Sequence, residues 1–376
     1  MKKMSSAVGN VVPRGNVTLL VARPRQHLPV QKFASPQYRR KLVLASALND
    51  AMEIDGMLTH LQKSKGSSEE TIGTTAGILI VAYLPKPSTL IRLLSTVAGS
   101  GYPVLVMDNG GAEFIDQHVD VMHLQCVERI NCGQNIGVAA ALNEGIAIFA
   151  SRGLKWVAAF DQDSNPHTSA ISELLAAAIE WNESGTGKVA TIGPTIVDVR
   201  GHTKVVHSFI SFYRFRIRRI HPENERGSYE VGHVITSGSL INIAAWRVVR
   251  FDEDLFIDLV DIDWCWRASN KGYAILGTSI VELKHELSSS PPIKRFGKKL
   301  NQYSAIRRYF FARNAVNLII RRKISLIRRA YLVYALISAI LSAFVLDENR
   351  VASIRATALG VMDGTRNKMG PAPMNI

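Results

Sequence analysis

Cysteine is scarce in this chain. The 376 residues include three, Cys126, Cys132 and Cys265, and their spacing is unpaired. That excludes a two-by-two zinc site and a disulfide framework, and it suits a reducing compartment. No apolar core of signal-peptide length follows the early lysines, so the sequence reads as a protein that is not secreted. No Rossmann or Walker glycine fingerprint occurs. Acidic residues are missing from Lys294 to Arg329, a stretch with twelve Lys and Arg. This run carries no recognisable DNA- or RNA-binding motif, so nucleic acid is not the expected partner despite a net charge of +14.

What is present is an ordinary globular composition, 47% hydrophobic and 20% charged. Three regions are expected. Residues 1–75 form an extension, partly disordered, with one helix at about 40–62 and a linker after Lys63. Residues 76–290 form an α/β domain. Residues 291–376 form a basic, amphipathic helical region. Its basic run leads into Ala330–Val345, sixteen uncharged residues, slightly short of the roughly 17–25 that cross a bilayer. Such a segment suits a helix lying on the anionic cytoplasmic leaflet of a membrane; a buried core helix is the other reading.

From Gly77 short apolar runs alternate with helical spacing. Strands are expected at Ile78–Ala82, Val104–Met107, His123–Val127, Trp156–Phe160 and Val189–Ile192. Helices are expected at 90–97, 138–152 and 169–181. Residues 131–137 read as a loop, and residues 200–232 as a long functional loop rich in aromatic and basic side chains. Alternation of this kind implies a mostly parallel sheet flanked by helices, with ligands at the carboxyl ends of the strands. Tyr83, Asp108 and Asp161 fall at such ends.

The sharpest chemical signal is Asp161-Gln162-Asp163 after the apolar run Trp156–Phe160. Two carboxylates at the tip of a buried strand are costly unless a cation sits there. Mg²⁺ or Mn²⁺ holding the phosphates of a nucleotide fits; a solvated acidic turn is the alternative. A second acidic cluster, Asp258, Asp261 and Asp263, opens an aromatic helix.

The order Val81-Ala-Tyr-Leu-Pro85, Val106-Met-Asp-Asn-Gly110, Asn131-x-Gly-x-Asn-x-Gly137 with Asn143 and Gly145, then Asp161-Gln-Asp-Ser164, resembles the family 2 inverting glycosyltransferases. Within them it is most similar to bacterial rhamnosyltransferases of O-antigen and surface-polysaccharide assembly. The resemblance runs from about Gly77 to Met369. It implies a GT-A fold, a nucleotide-sugar donor and a divalent metal, Mg or Mn. Residue by residue, it places Asp163 and Asp161 on the metal, Asp161 also on the nucleotide, and His285 as a further metal ligand or a structural histidine. Tyr83, Asp108, Asn131, Gly133 and Asn135 would line the donor site, with Ser237, Gly238 and Arg313. Arg307, Arg308, Arg313 and Asn314 would clamp diphosphate or acceptor, or form a solvated basic face. The family carries its general base in a Glu-Asp pair; here the pair reads Val260-Asp261, so Asp261 aligns with the base and Asp263 is its competitor. The implied activity is transfer of a sugar, L-rhamnose from dTDP-L-rhamnose, to a lipid-linked saccharide at the cytoplasmic face of a bacterial inner membrane. A UDP-hexose donor or a non-catalytic membrane-bound scaffold are the alternatives.

Overall fold

The computed structural model describes residues 75–116, 126–198, 205–213, 216–224, 226–284, 293–295, 298–300, 303–347 and 349–373. The expected helix at 40–62, its linker and His285 lie outside the described residues. The first strands are β1 (Ala76–Ala82), β2 (Val104–Asp108), β3 (Val127–Asn131) and β4 (Trp156–Asp161). They pair in parallel in the order β3-β2-β1-β4. Because side chains alternate across a strand, each of these runs feeds two cores. Ile78, Ile80, Val104 and Val106 enter one; Leu79, Leu105 and Met107 enter the other. Burial on both faces is why these strands read as unbroken apolar runs.

Helix α1 (Pro87–Ala98) covers the first face with Leu90, Leu93, Leu94 and Val97. Helix α2 (Val138–Ser151) covers the other. Helix α3 (Ala170–Glu183) and β5 (Val189–Asp198) follow. A two-residue strand, β6 (Val205–Val206), pairs with β5. The expected strand at His123–Val127 lies outside the described residues up to 125; the described third strand is Val127–Asn131, so Asn131 closes a strand instead of opening a loop. Glu128 and Arg129 hide it from an apolar pattern. They are tolerated because β3 is a sheet edge, where polar residues cost little.

Residues 200–232 are not one long loop. Strands β7 (Phe209–Tyr213) and β8 (Arg216–Ile220) form an antiparallel hairpin. Phe209 packs edge-on against Tyr229, while Phe212 packs against Trp266 and Tyr331. The two phenylalanines anchor an otherwise cationic hairpin whose period-two signal is masked by Arg216, Arg218 and Arg219. Strand β9 (Ser228–Glu230) then adds to the main sheet.

Strand β10 (Ser239–Asn242) inserts antiparallel between β4 and β5. Helix α4 (Ile243–Val248), a 3-10 turn at Glu253–Leu255 and helix α5 (Val260–Ser269) lead to β11 (Ala274–Lys284), parallel to β5. The result is the mixed, mostly parallel sheet that the sequence implies. A small hairpin, β12 (Ile293–Arg295) and β13 (Lys298–Leu300), precedes the last helices.

Those helices are α6 (Ala305–Arg321), α7 (Leu326–Leu346) and α8 (Arg350–Arg366). Helices α6 and α8 run side by side in the same direction, with Gly360 and Gly364 of α8 against the α6 backbone at Tyr309 and Arg313. A side chain at Gly360 would collide with the Tyr309 carbonyl oxygen, so only glycine lets the two backbones approach this closely. The inner end of α7 is anchored by Tyr331 on Phe212 and by Arg328 stacked on Phe212 and Trp266. The C-terminal helices belong to the same compact unit as the sheet.

Candidate active site

The carboxyl ends of β1, β2 and β4 lie level, with Ala82 opposite Asp108 and Val81 opposite Asp161. A cleft of about 750 Å³ opens above them, within the range of small-ligand sites. One wall carries Tyr83, Lys86, Thr89 and Arg92 from the end of β1 and the start of α1. The Tyr83 backbone N–H donates to Gln162 Oε1 at 2.7 Å, tying this wall to the Asp-x-Asp turn. Asn109, buried behind it, donates to the Gly137 carbonyl at 3.3 Å and so joins two strand-end loops. Asn135 lines the cleft and accepts from Gly137 N–H at 2.9 Å.

Asp161 and Asp163 stand on the floor. Beneath them Ser237 and Ser164 share a hydrogen bond of 2.6 Å, both buried. The opposite wall is the segment Phe256–Asp261 with Arg307 from α6. Its backbone is unusual: Phe256, Asp258 and Leu259 hold φ of 64°, 66° and 61° without being glycine. Left-handed residues of this kind persist only where their surroundings over-determine them.

Here the surroundings do so. The Phe256 carbonyl accepts from Val138 N–H at 2.7 Å, and its ring stacks on Phe310 of α6. A Cβ at Gly137 (φ +85°) would lie 2.7–2.9 Å from Phe256, so the glycine is what admits the loop. The Asn314 amide donates to the carbonyls of Leu255, Ile257 and Asp258 at 2.8–2.9 Å. Arg307 grips Asp258 in a two-pronged ion pair at 2.5 and 2.9 Å. Burial lifts the Asp258 pKa even against that arginine.

This scaffold presents Asp261 at the first turn of α5. Burial, with the negative charges of Asp258 and Asp161, pushes its pKa up to about 6. Its Oδ1 accepts from Ile262 N–H at 2.8 Å, which limits the rise. A carboxylate with this pKa accepts a proton near neutral pH.

Of the residues picked from sequence, Tyr83, Asn135, Asp161, Asp163, Ser237 and Asp261 meet at the cleft. Arg307 lines it too, and the other described residues among them sit behind it. Asp108 is fully buried and spent on Arg129 at 2.7 Å and on the N–H groups of Gly110 and Ala112. It shapes the turn instead of facing a nucleoside. Asn131 caps Gly133 N–H at 2.7 Å, and a side chain on Gly133 would meet open space. Gly238 donates to the Ala159 carbonyl and packs under Leu283. Asp263 is buried between Arg267 at 2.7 Å and Arg322 at 3.0 Å, where it pins α5 and does not compete as a base. Arg313 is fully buried and donates to the carbonyls of Gly370 and Leu255, so it supports the loop and clamps no diphosphate. Asn143 is likewise structural: its amide oxygen accepts from Trp246 Nε1 and Phe251 N–H.

The donor set fits a hard divalent cation. Among the described residues no three His, Cys, Asp or Glu converge; Asp161 and Asp163 are the pair of carboxylates that the end of β4 brings to the cleft. Mg²⁺ binds in this manner, through one or two carboxylates, with phosphates and water completing its shell. Strand β11 ends beside this turn, where Lys284 bridges to Asn165. Lys86, Arg92 and Arg307 add positive charge around the acids. Arg307 is one of the residues that the resemblance offers as a clamp for diphosphate or acceptor, whereas Lys86 and Arg92 carry no mark in sequence beyond charge. Gln162, the middle residue of the Asp-x-Asp, was visible only as a spacer.

No family model matches the chain. The dTDP-rhamnosyl transferase RfbF of Shigella flexneri is 26% identical over 304 residues, 79% of this chain and 97% of that protein. Among solved structures, GalNAc-T7 with UDP, GalNAc and Mn²⁺ aligns with a TM-score of 0.48 and 12% identity, over 69% of this chain and 53% of that one. The chain thus spans about half the length of GalNAc-T7. TarS 1-349 of S. aureus gives 0.46 and 10%, over 78% of this chain and 82% of that one. The mannosyltransferase PcManGT of Pyrobaculum calidifontis, with GDP-Man and Mn²⁺, gives 0.45 and 13%, over 88% and 99%.

Proposed function

We propose that this family 2 glycosyltransferase-like chain is an inverting sugar transferase that moves L-rhamnose from dTDP-L-rhamnose onto a hydroxyl of a lipid-linked saccharide. Its relation to a rhamnosyl transferase along nearly the whole of that protein supports glycosyl transfer, and rhamnose as the sugar is our reading of it. One observation carries the mechanism: Asp261 faces the cleft from across Asp161 and Asp163 with a pKa of about 6.

The acceptor oxygen attacks the anomeric carbon on the face opposite the nucleotide, and its proton passes to Asp261. The bond from that carbon to the diphosphate oxygen breaks, and the electron pair leaves with the diphosphate. Asp161 and Asp163 are the residues to hold a divalent metal, which when bound supplies Lewis-acid neutralisation of the leaving diphosphate. Lys86, Arg92 and Arg307 add to that neutralisation, and the half-exposed Tyr83 ring offers a face on which a base can stack.

The test is a panel of nucleotide-sugars with and without EDTA, read as binding and as nucleoside diphosphate release. Release from dTDP-L-rhamnose, abolished by EDTA and reduced about a hundredfold or more in Asp163→Ala, is expected. Release that EDTA and Asp163→Ala leave unchanged overturns the metal role. Preference for a UDP-hexose overturns the donor, and failure to bind any donor overturns the reading.

A further inference from the structure

Helix α7 turns a continuous apolar stripe to solvent. Leu326, Ala330, Tyr334, Ile337, Leu341 and Phe344 are all exposed and recur at three- and four-residue spacing. The stripe runs about 27 Å at 1.5 Å per residue. Soluble surfaces scatter such side chains singly, and a contiguous row marks an interaction face. Its surroundings carry one sign of charge. Lys323 stands just before the stripe and Arg350 just after it, with Arg355 and Arg366 exposed along α8 and Lys368 just past its end. Among the described residues of 303–373 the acidic side chains, Asp347 and Asp363, are both buried. Asp347 is paired with Arg308 at 2.8 Å, and Asp363 accepts from Tyr309 at 3.0 Å.

We infer that this face of α7 docks on an anionic lipid surface, the stripe entering the headgroup boundary and the flanking cations engaging the lipid charge. A second copy of the chain would bring an equally cationic rim against this one and be repelled, whereas an anionic surface is attracted. The helix lies along the surface instead of crossing it. Its length and composition suit a span, but its inner side is committed to the protein. Arg328 stacks on Phe212 and Trp266, and Leu332 and Ala343 are buried. Arg308 also donates to Ala339 O and Ser342 Oγ of α7 at 2.8 and 2.7 Å.

That last contact sets the geometry. Arg308 ties the Leu341–Phe344 end of the stripe to the first turn of α6, and the preceding residue, Arg307, lines the cleft. Docking therefore holds the first turn of α6, and with it one wall of the cleft, close to the lipid surface. The surface goes beyond the catalytic reading and stands without it.

The test floats the full chain with vesicles of phosphatidylcholine alone, or of phosphatidylcholine with phosphatidylglycerol, at low and high salt. Flotation with the anionic vesicles, weakened by salt, is expected. It should fall on the order of tenfold in Arg350→Glu/Arg355→Glu, at roughly 1 kcal/mol per surface charge, and vanish in Ile337→Glu/Leu341→Glu. Circular dichroism and thermal melting check folding, and the exposed arginine pair keeps the test decisive if the apolar pair misfolds. A wild-type chain that stays unbound, or binding that both variants retain, overturns the inference. So does a dimer that Ile337→Glu/Leu341→Glu dissociates without any lipid binding. Donor binding measured in the same variants separates this result from the catalytic reading.

Discussion

Asp261 gathers the electrostatic cost of the site. Its ionised form is disfavoured by burial and by two neighbouring carboxylates, so the folded chain holds this proton up to about pH 6. The unfolded chain releases it near pH 4. Across that window the native state binds more protons, so stability falls as pH rises through it. Replacing Asp261 with Asn removes the penalty. The variant should gain ~3 kcal/mol at pH 7, read from its denaturant midpoint. Its transfer rate should drop by about 10²–10⁴-fold. In the parent protein kcat/KM should rise with pH through about 6, because the base must be ionised; a flat profile would remove Asp261 from the role. Stability and activity oppose each other at this one carboxyl group.

At the scale of elements, the wall that carries the base is held from the side by α6. Three carbonyls around the left-handed residues Phe256 and Asp258 accept from the single Asn314 amide, and that of Leu255 also accepts from Arg313 and from Ile257 N–H. Asn314→Leu takes this donor from the Ile257 and Asp258 carbonyls, at about 1–3 kcal/mol for each unsatisfied group. We expect a loss of ~3 kcal/mol in the denaturant midpoint and a fall in kcat larger than any change in KM. Gly360→Val tests the other side of α6. Its branched side chain meets the Tyr309 carbonyl, and overpacking should cost ~1–3 kcal/mol or more. Donor affinity measured on the folded fraction should stay near the parent value, because α8 is remote from the cleft lining.

For the whole molecule, the parallel half was legible because strands buried on both faces read as apolar runs and their ends as sudden polar residues. Tyr83, Asp161, Asp163 and Asp261 could be placed on that basis together with motif order. Asp108 and Asp263 could not be sorted from them, because a buried carboxylate satisfied by arginine has the same letter as one facing a cleft. Phe256, Asp258 and Leu259 carry no glycine to announce their backbone, and Asn314 acts on carbonyls that belong to every sequence alike. Phe209 and Phe212 anchor a hairpin whose arginines made it read as a loop.

The hold of Asn314 on the 255–258 carbonyls also has a consequence for synthesis. The chain leaves the ribosome from its N-terminus, and domains form as their parts emerge. The strands that carry Tyr83 and Asp161 come out early, but the support for the base is residue 314 of 376. A nascent or truncated chain ending near residue 290 would own both aspartates of the Asp-x-Asp and the Asp261 side chain, yet lack what keeps that side chain aimed. The wall that carries Asp261 is therefore completed only after the strands of the sheet have been made.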